Sequence, residues 1–110
     1  MKEPTFTRNT RVTAITEEFT RGRQSVDLQC LYRTKRGTRL KVQIKYDNSN
    51  AQSYARLCVW SKSELQWNPV HCIPYQKMHA IAVKDRTLNE KDFSTDVETL
   101  INVAFEVIGE

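Results

Sequence analysis

Ser25-Val26-Asp27-Leu28-Gln29-Cys30-Leu31-Tyr32-Arg33-Thr34-Lys35-Arg36-Gly37-Thr38-Arg39-Leu40-Lys41-Val42-Gln43-Ile44-Lys45-Tyr46 contains two runs of alternating apolar and polar residues around one glycine. Alternation with a period of two marks a half-buried strand, so the stretch is predicted to be a β-hairpin. Lys35-Arg36-Gly37 suits a three-residue loop, a type I turn followed by a left-handed residue, with glycine at that last place. This loop length sets the register. Thr34 then pairs with Thr38, and Tyr32, Cys30, Leu28 and Val26 face Leu40, Val42, Ile44 and Tyr46 on one apolar side. A two-residue turn at Arg36-Gly37 would slip the register by one and mix the two faces, which a buried sheet resists.

The opposite side is predicted from the same register. Asp27 faces Lys45, Gln29 faces Gln43, Leu31 faces Lys41 and Arg33 faces Arg39. Like charges placed directly across a sheet destabilise it by roughly 0.2–1 kcal/mol. Lys35, Arg36 and Lys41 add to the Arg33–Arg39 pair, and the only acid of the hairpin, Asp27, lies at its far end. Such a cluster is most stable with an anion bound. Lys- and Arg-rich strand faces also serve solubility and discourage edge pairing, which is the plainer explanation of the same residues.

Downstream, Asp47-Asn48-Ser49-Asn50 reads as a loop and Tyr54 to Trp60 as a third strand of the meander. If Ala55, Leu57 and Val59 join the core, Tyr54, Arg56 and Trp60 share the basic side. Ser61 to Glu64 reads as a turn. Leu65 and Trp67 open a further strand, broken at Asn68-Pro69 and resumed over Val70 to Ile73; Pro69 and Pro74 suit an edge. Met78 to Lys84 fits a short strand or a helical turn, and Thr87 to Asp92 a polar loop. Thr95-Asp96-Val97-Glu98 has the pattern of a capping box, Thr95 capping and Glu98 reaching back. Val97, Leu100, Ile101, Ala104 and Ile108 follow at helical spacing, and Gly109 ends the helix. Val103, Phe105 and Val107 widen its apolar stripe, as in a helix that is deeply buried or shared with a second copy of the chain.

Upstream, Thr10 to Phe19 fits a strand, with Val12, Ala14 and Thr16 alternating, or a helix with Val12, Ile15 and Phe19 on one side; its Thr and Val content favours the strand, and Thr20 to Arg23 reads as a turn into the hairpin. Residues 1–9 are expected to be a flexible arm, and residues 10–110 a single domain. The fold class is therefore α+β: a four- to five-stranded, mostly antiparallel meander with the C-terminal helix packed on its apolar face.

With 110 residues, 27% charged and 39% hydrophobic, the chain is long enough for a core without metal or disulfide support. Neither a signal peptide nor a membrane span is expected, since no long apolar run occurs. Cys30, Cys58 and Cys72 have no paired spacing and are expected to be buried free thiols of a cytoplasmic protein. The net charge of +4 is unevenly spread: residues 1–46 hold eleven basic and four acidic residues, residues 47–110 six and nine. A field so polarised attracts a polyanion or a partner of opposite sign.

Four chemistries are weighed. The first is nucleic-acid binding by phosphate contacts and stacking, carried by Arg33, Lys35, Arg36, Arg39, Lys41, Lys45, Tyr54, Arg56 and Trp60. The second is cleavage: Asp27 with Gln43-Ile44-Lys45 resembles the core signature of the restriction-endonuclease-like family, Asp followed by (Glu or Gln)-x-Lys on two strands. The resemblance covers about twenty residues and implies a divalent metal held by Asp27 and Gln43, with Lys45 stabilising charge at the attacked phosphate. That family usually has a helix on either side of this unit, where this chain is predicted to have a strand and a loop. The third is metal or thiol chemistry at Cys58, His71, Cys72 and His79, whose spacing matches no zinc pattern. The fourth is a docking module built on the Trp60 and Trp67 pair and the acidic, apolar helix. The expectation carried forward is a non-enzymatic nucleic-acid-binding module without metal or cofactor. The alternative is a protein-interaction or inhibitory module that meets an acidic protein surface or dimerises through the helix.

Overall fold

In the computed structural model the described residues are 6–21, 25–47, 53–74 and 90–110. Five strands, β1 (Val12–Arg21), β2 (Ser25–Thr34), β3 (Arg39–Asp47), β4 (Tyr54–Ser61) and β5 (Gln66–Pro74), form one antiparallel sheet in the order β1-β2-β3-β4-β5. One helix, α1 (Glu90–Ile108), packs on it, giving an α+β architecture.

The β2–β3 register matches the expectation pair by pair, from Val26 opposite Tyr46 to Arg33 opposite Arg39. The loop closes with Gly37 N–H donating to Thr34 O at 2.9 Å and Thr34 N–H donating to Thr38 O at 2.9 Å. Gly37 has φ +90°, the left-handed value that this loop requires of its third residue.

Two bulges adjust the outer strands. Between Ala14 and Thr16 the β1–β2 register shifts, leaving Ile15 as the extra residue. Val12, Ala14 and Phe19 can then all reach the core side although Ala14 and Phe19 are an odd number of residues apart. The same shift turns Glu17 to the core side opposite Cys30 and leaves Thr16 on the open side, breaking the Val12-Ala14-Thr16 alternation expected from sequence. In β5 a second shift lies between Leu57 and Cys58 of its partner strand, with Val70 as the extra residue. β5 is an edge strand, as Pro69 and Pro74 predict. Leu65 does not open it: it sits in the turn with φ 54° and its side chain 75% exposed.

The core lies between the sheet and α1. Leu28, Tyr32, Leu40, Val42, Ile44, Ala55 and Leu57 meet Phe93, Val97, Leu100, Ile101 and Ala104, all essentially inaccessible to solvent. The helix lies against β3, β4 and β5. Over β1 the covering is supplied by the N-terminal segment: Phe6 and Thr7 are buried, and Phe6 stacks on Phe19 at 5.8 Å between ring centroids. Residues 6–9 of the expected arm thus pack on the domain; residues 1–5 lie outside the described residues.

The helix begins five residues before Thr95, so Thr95 and Glu98 do not form a capping box. Phe93, four residues before Val97, extends the buried stripe and holds the additional turn on the sheet. The Thr95 carbonyl instead accepts the Thr99 hydroxyl at 2.9 Å, and the Glu98 carboxylate accepts from the Thr7 hydroxyl and the Arg8 amide. The other end matches expectation: Gly109, at φ 72°, donates its N–H to Phe105 O at 3.1 Å. Much of the wide apolar stripe is buried in the chain's own core; Val107 is 54% exposed.

The loop expected over Asp47 to Asn50, the tip of the Thr20–Arg23 turn and the elements expected over Met78 to Lys84 fall largely or wholly outside the described residues, as does His79. Among the described residues no helix is long and apolar enough to cross a membrane.

Candidate functional site

The meander arranges the side of the sheet away from α1 into four rows that run from β1 to β5. The first is Thr13, Arg33, Arg39, Trp60 and Trp67, taking Arg39 beside Trp60 by extending the Leu40–Val59 pairing one step. The second is Thr16, Leu31, Lys41, Cys58 and Pro69. The third is Glu18, Gln29, Gln43, Arg56 and Cys72, and the fourth Thr20, Asp27, Lys45, Tyr54 and Pro74.

This order divides the cations that the sequence groups together. The first two rows hold Arg33, Arg39 and Lys41 and no acid. The last two hold Arg56 and Lys45 with Glu18 and Asp27, so their formal charges balance. The open face is therefore basic at the hairpin-loop end and neutral at the other.

The two halves also differ in how their side chains are engaged. In the neutral half Arg56 Nη2 donates to Gln43 Oε1 at 2.7 Å, and Gln43 Nε2 donates to Gln29 Oε1 at 3.3 Å. The Arg56 guanidinium lies 5.1 Å from the Tyr54 ring centroid, and its Nε is buried without a hydrogen-bond partner among the described residues. Arg56 and Tyr54 thus brace the sheet surface. In the basic half Arg33 and Arg39 are exposed, and Lys41 Nζ lies 4.7 Å from the Trp67 ring centroid. Trp67 meets Trp60 edge to face at 5.4 Å and 68°. An open groove of about 460 Å³ runs across this half, lined by Thr13, Ala14, Ile15, Leu31, Arg33, Arg39 and Trp67.

Lys35 and Arg36 sit at the exposed tip of the hairpin. There Thr38 donates its hydroxyl to the Glu110 carboxylate. Hydrogen bonds from Thr34 and Thr38, together with the nearby Arg36 charge, hold the Glu110 carboxyl below its ordinary pKa. One cation of the tip is therefore partly matched by an acid from beyond the helix.

The structure brings together Arg33, Arg39, Lys41 and Trp60 of the residues predicted from sequence, places Lys35 and Arg36 at their border, and sets Tyr54, Arg56 and Lys45 apart. It adds Trp67, Ile15 and Leu31 to the basic half. Trp67 carries a signal in the sequence as half of a tryptophan pair, there read as a docking feature; Ile15 carries one as the residue that alternates with core-side Val12 and Ala14.

Asp27, Gln43 and Lys45, the residues of the endonuclease-like signature, do share the open face, with Asp27 directly opposite Lys45. Gln43 Oε1, the atom that a metal would require, already accepts from the Arg56 guanidinium, a cation beside which a divalent ion is disfavoured. Around this unit the fold is a continuous meander, with β1 before it and β4 after it. Among the described residues no three His, Cys, Asp or Glu side chains cluster as a metal site. Cys30, Cys58 and Cys72 are free, and Cys72 is exposed, which departs from the expected burial because it lies on the edge strand. Comparison with protein families, curated proteins and solved structures finds no match to the chain.

Proposed function

We propose that this chain is a small non-enzymatic binding module that takes nucleic acid on the basic half of its open sheet face, mainly through phosphate contacts. The observation that carries the reading is the pair of adjoining rows holding Arg33, Arg39 and Lys41 without an acid. A face of one sign beside half-buried aromatic surface offers a polyanion both phosphate contacts and rings for its bases to stack on. The free thiols suit a reducing compartment such as the cytoplasm.

The test is fluorescence anisotropy with labelled DNA and RNA across a salt series. Three phosphates neutralised predict a slope of log K against log salt of about −2 to −3. Arg33→Glu combined with Arg39→Glu is expected to abolish binding at moderate salt; unchanged affinity would rule the reading out.

A second reading follows from the position of Trp60 and Trp67. The tryptophan pair lies in the same row as the two arginines, so an acidic protein surface with an apolar centre would dock on this same half. Failure of every nucleic acid to bind, with an acidic protein partner captured and lost again on the Arg33 and Arg39 substitutions, would favour it.

A further inference from the structure

We infer that the groove across the basic half is a seat for unpaired bases, so that the nucleic acid bound there is single-stranded. This inference rests on the proposed nucleic-acid reading and narrows its ligand. Three observations carry it.

The first is the composition of the groove. Its walls are apolar at Ile15, Leu31 and Trp67 and cationic at Arg33 and Arg39, within a volume of about 460 Å³. That size falls within the range of small-ligand clefts. A duplex presents sugar and phosphate outward and keeps its base faces stacked inside. It would satisfy the guanidinium groups and leave the apolar walls in water. An unpaired nucleotide satisfies both, because its phosphate meets an arginine while its base lies on tryptophan or on a guanidinium plane.

The second is the bulge. Ile15, the extra residue of β1, is 45% exposed and lines the groove on the open face beside Thr13. An exposed β-branched apolar residue beside two arginines is unfavourable in water, and a base covering it removes that exposure.

The third is the division of the face. Beyond the second row the surface carries balanced charge and a braced Gln29–Gln43–Arg56 ladder. A strand is therefore held at the loop end of the sheet and receives no net attraction along the rest. The geometry points to a short run of nucleotides crossing the strands, over a sheet roughly 19 Å wide at ordinary interstrand spacing.

The experiment compares four short labelled probes of equal phosphate number on the full chain: single-stranded DNA, single-stranded RNA, a blunt duplex, and an abasic strand. Single strands are expected to bind at least tenfold more tightly than the abasic strand and the duplex, and to quench tryptophan fluorescence. Trp67→Ala is expected to weaken single-strand binding roughly tenfold without altering the salt slope, whereas Arg33→Ala reduces that slope. Ile15→Asn, at an exposed position, keeps the fold and is expected to weaken the single strand while sparing the abasic one. Equal affinity for abasic and base-bearing strands would overturn the base seat and leave the phosphate reading standing. Absence of binding to all four would overturn both.

Discussion

The Tyr32 hydroxyl donates a 2.7 Å hydrogen bond to the carboxylate of Glu17, an acid turned to the core side of the sheet by the bulge at Ile15. The same carboxylate oxygen accepts the Phe6 amide at 3.0 Å. One acid therefore ties the buried end of β2 to β1 and to the N-terminal segment. Its removal leaves a buried hydroxyl and an amide without their acceptor. Glu17→Ala is expected to destabilise the fold by about 1–3 kcal/mol, and Glu17→Gln, which retains an acceptor oxygen, by less. Urea titration of both variants, with Tyr32→Phe to close a double-mutant cycle, measures the coupling.

Burial pushes the Cys30 thiol from an ordinary value of 9.0 up to about 12, despite a hydrogen bond with Tyr32 that opposes the shift. Tyr32 is raised as well, first by burial and then by Cys30 and Glu17. Both groups hold their protons more tightly folded than unfolded. Above the unfolded values the native state binds more protons, so stability falls as pH rises. For Cys30 that loss begins near 9 and is complete near 12. The midpoint of urea unfolding is expected to decline over this window, and Cys30→Ala to flatten the decline. A thiol reagent at neutral pH is expected to label exposed Cys72 at once, and buried Cys30 and Cys58 only on unfolding.

Arg33 directly opposite Arg39 places stability and binding in opposition. Replacing either with threonine, a good strand residue, removes a like-charge pair and is expected to stabilise the free protein by about 0.2–1 kcal/mol. The same change is expected to weaken binding to a polyanion. Thermal melting without ligand and anisotropy with it must therefore move in opposite directions. Added salt should raise the melting temperature of the wild type more than that of either variant, by screening the pair.

Glu98 and Thr95 separate the observed helix start from the one the sequence suggests. Glu98 receives the Thr7 hydroxyl and the Arg8 amide, while the Thr95 side chain is exposed inside the helix. Glu98→Ala is expected to destabilise by about 1–3 kcal/mol and to accelerate hydrogen exchange at the Arg8 amide. Thr95→Ala is expected to change stability by less than about 0.5 kcal/mol, whereas a true capping threonine would cost about 1.

What could be read from sequence is what one face of water and one of core impose. From Val26 to Tyr46 every apolar residue but Leu31 lies on one side, so the pattern admits one register, and Gly37 marks the loop that sets it. The bulge at Ile15 hides in a run rich in threonine, which suits either face; the odd separation of Ala14 and Phe19 is the trace it leaves. The early helix start hides because Glu90 to Asp96 is polar except for Phe93, the residue that anchors it. Trp67 was visible as an aromatic, yet its place in the basic row depends on its pairing with Trp60 across the turn between β4 and β5, next to Asn68-Pro69, where alternation is already broken. The cations were all visible. Their division into an acid-free set and a charge-balanced set needed the cross-strand partners on either side of the hairpin.

The clasp between Glu98 and the Thr7–Arg8 pair spans sequence separations of 91 and 90 residues, while every strand pairing joins neighbours along the chain. Closing a long loop is entropically dearer than closing a hairpin, so the order of assembly follows from connectivity. The meander is the part able to form from local contacts, and α1 with the N-terminal segment completes the fold late. Substitutions at Val42 or Cys30 should therefore slow refolding, and substitutions at Glu98 should chiefly speed unfolding. Until that last step, the apolar face of the sheet stands open to solvent, and self-association during refolding is the hazard this topology carries.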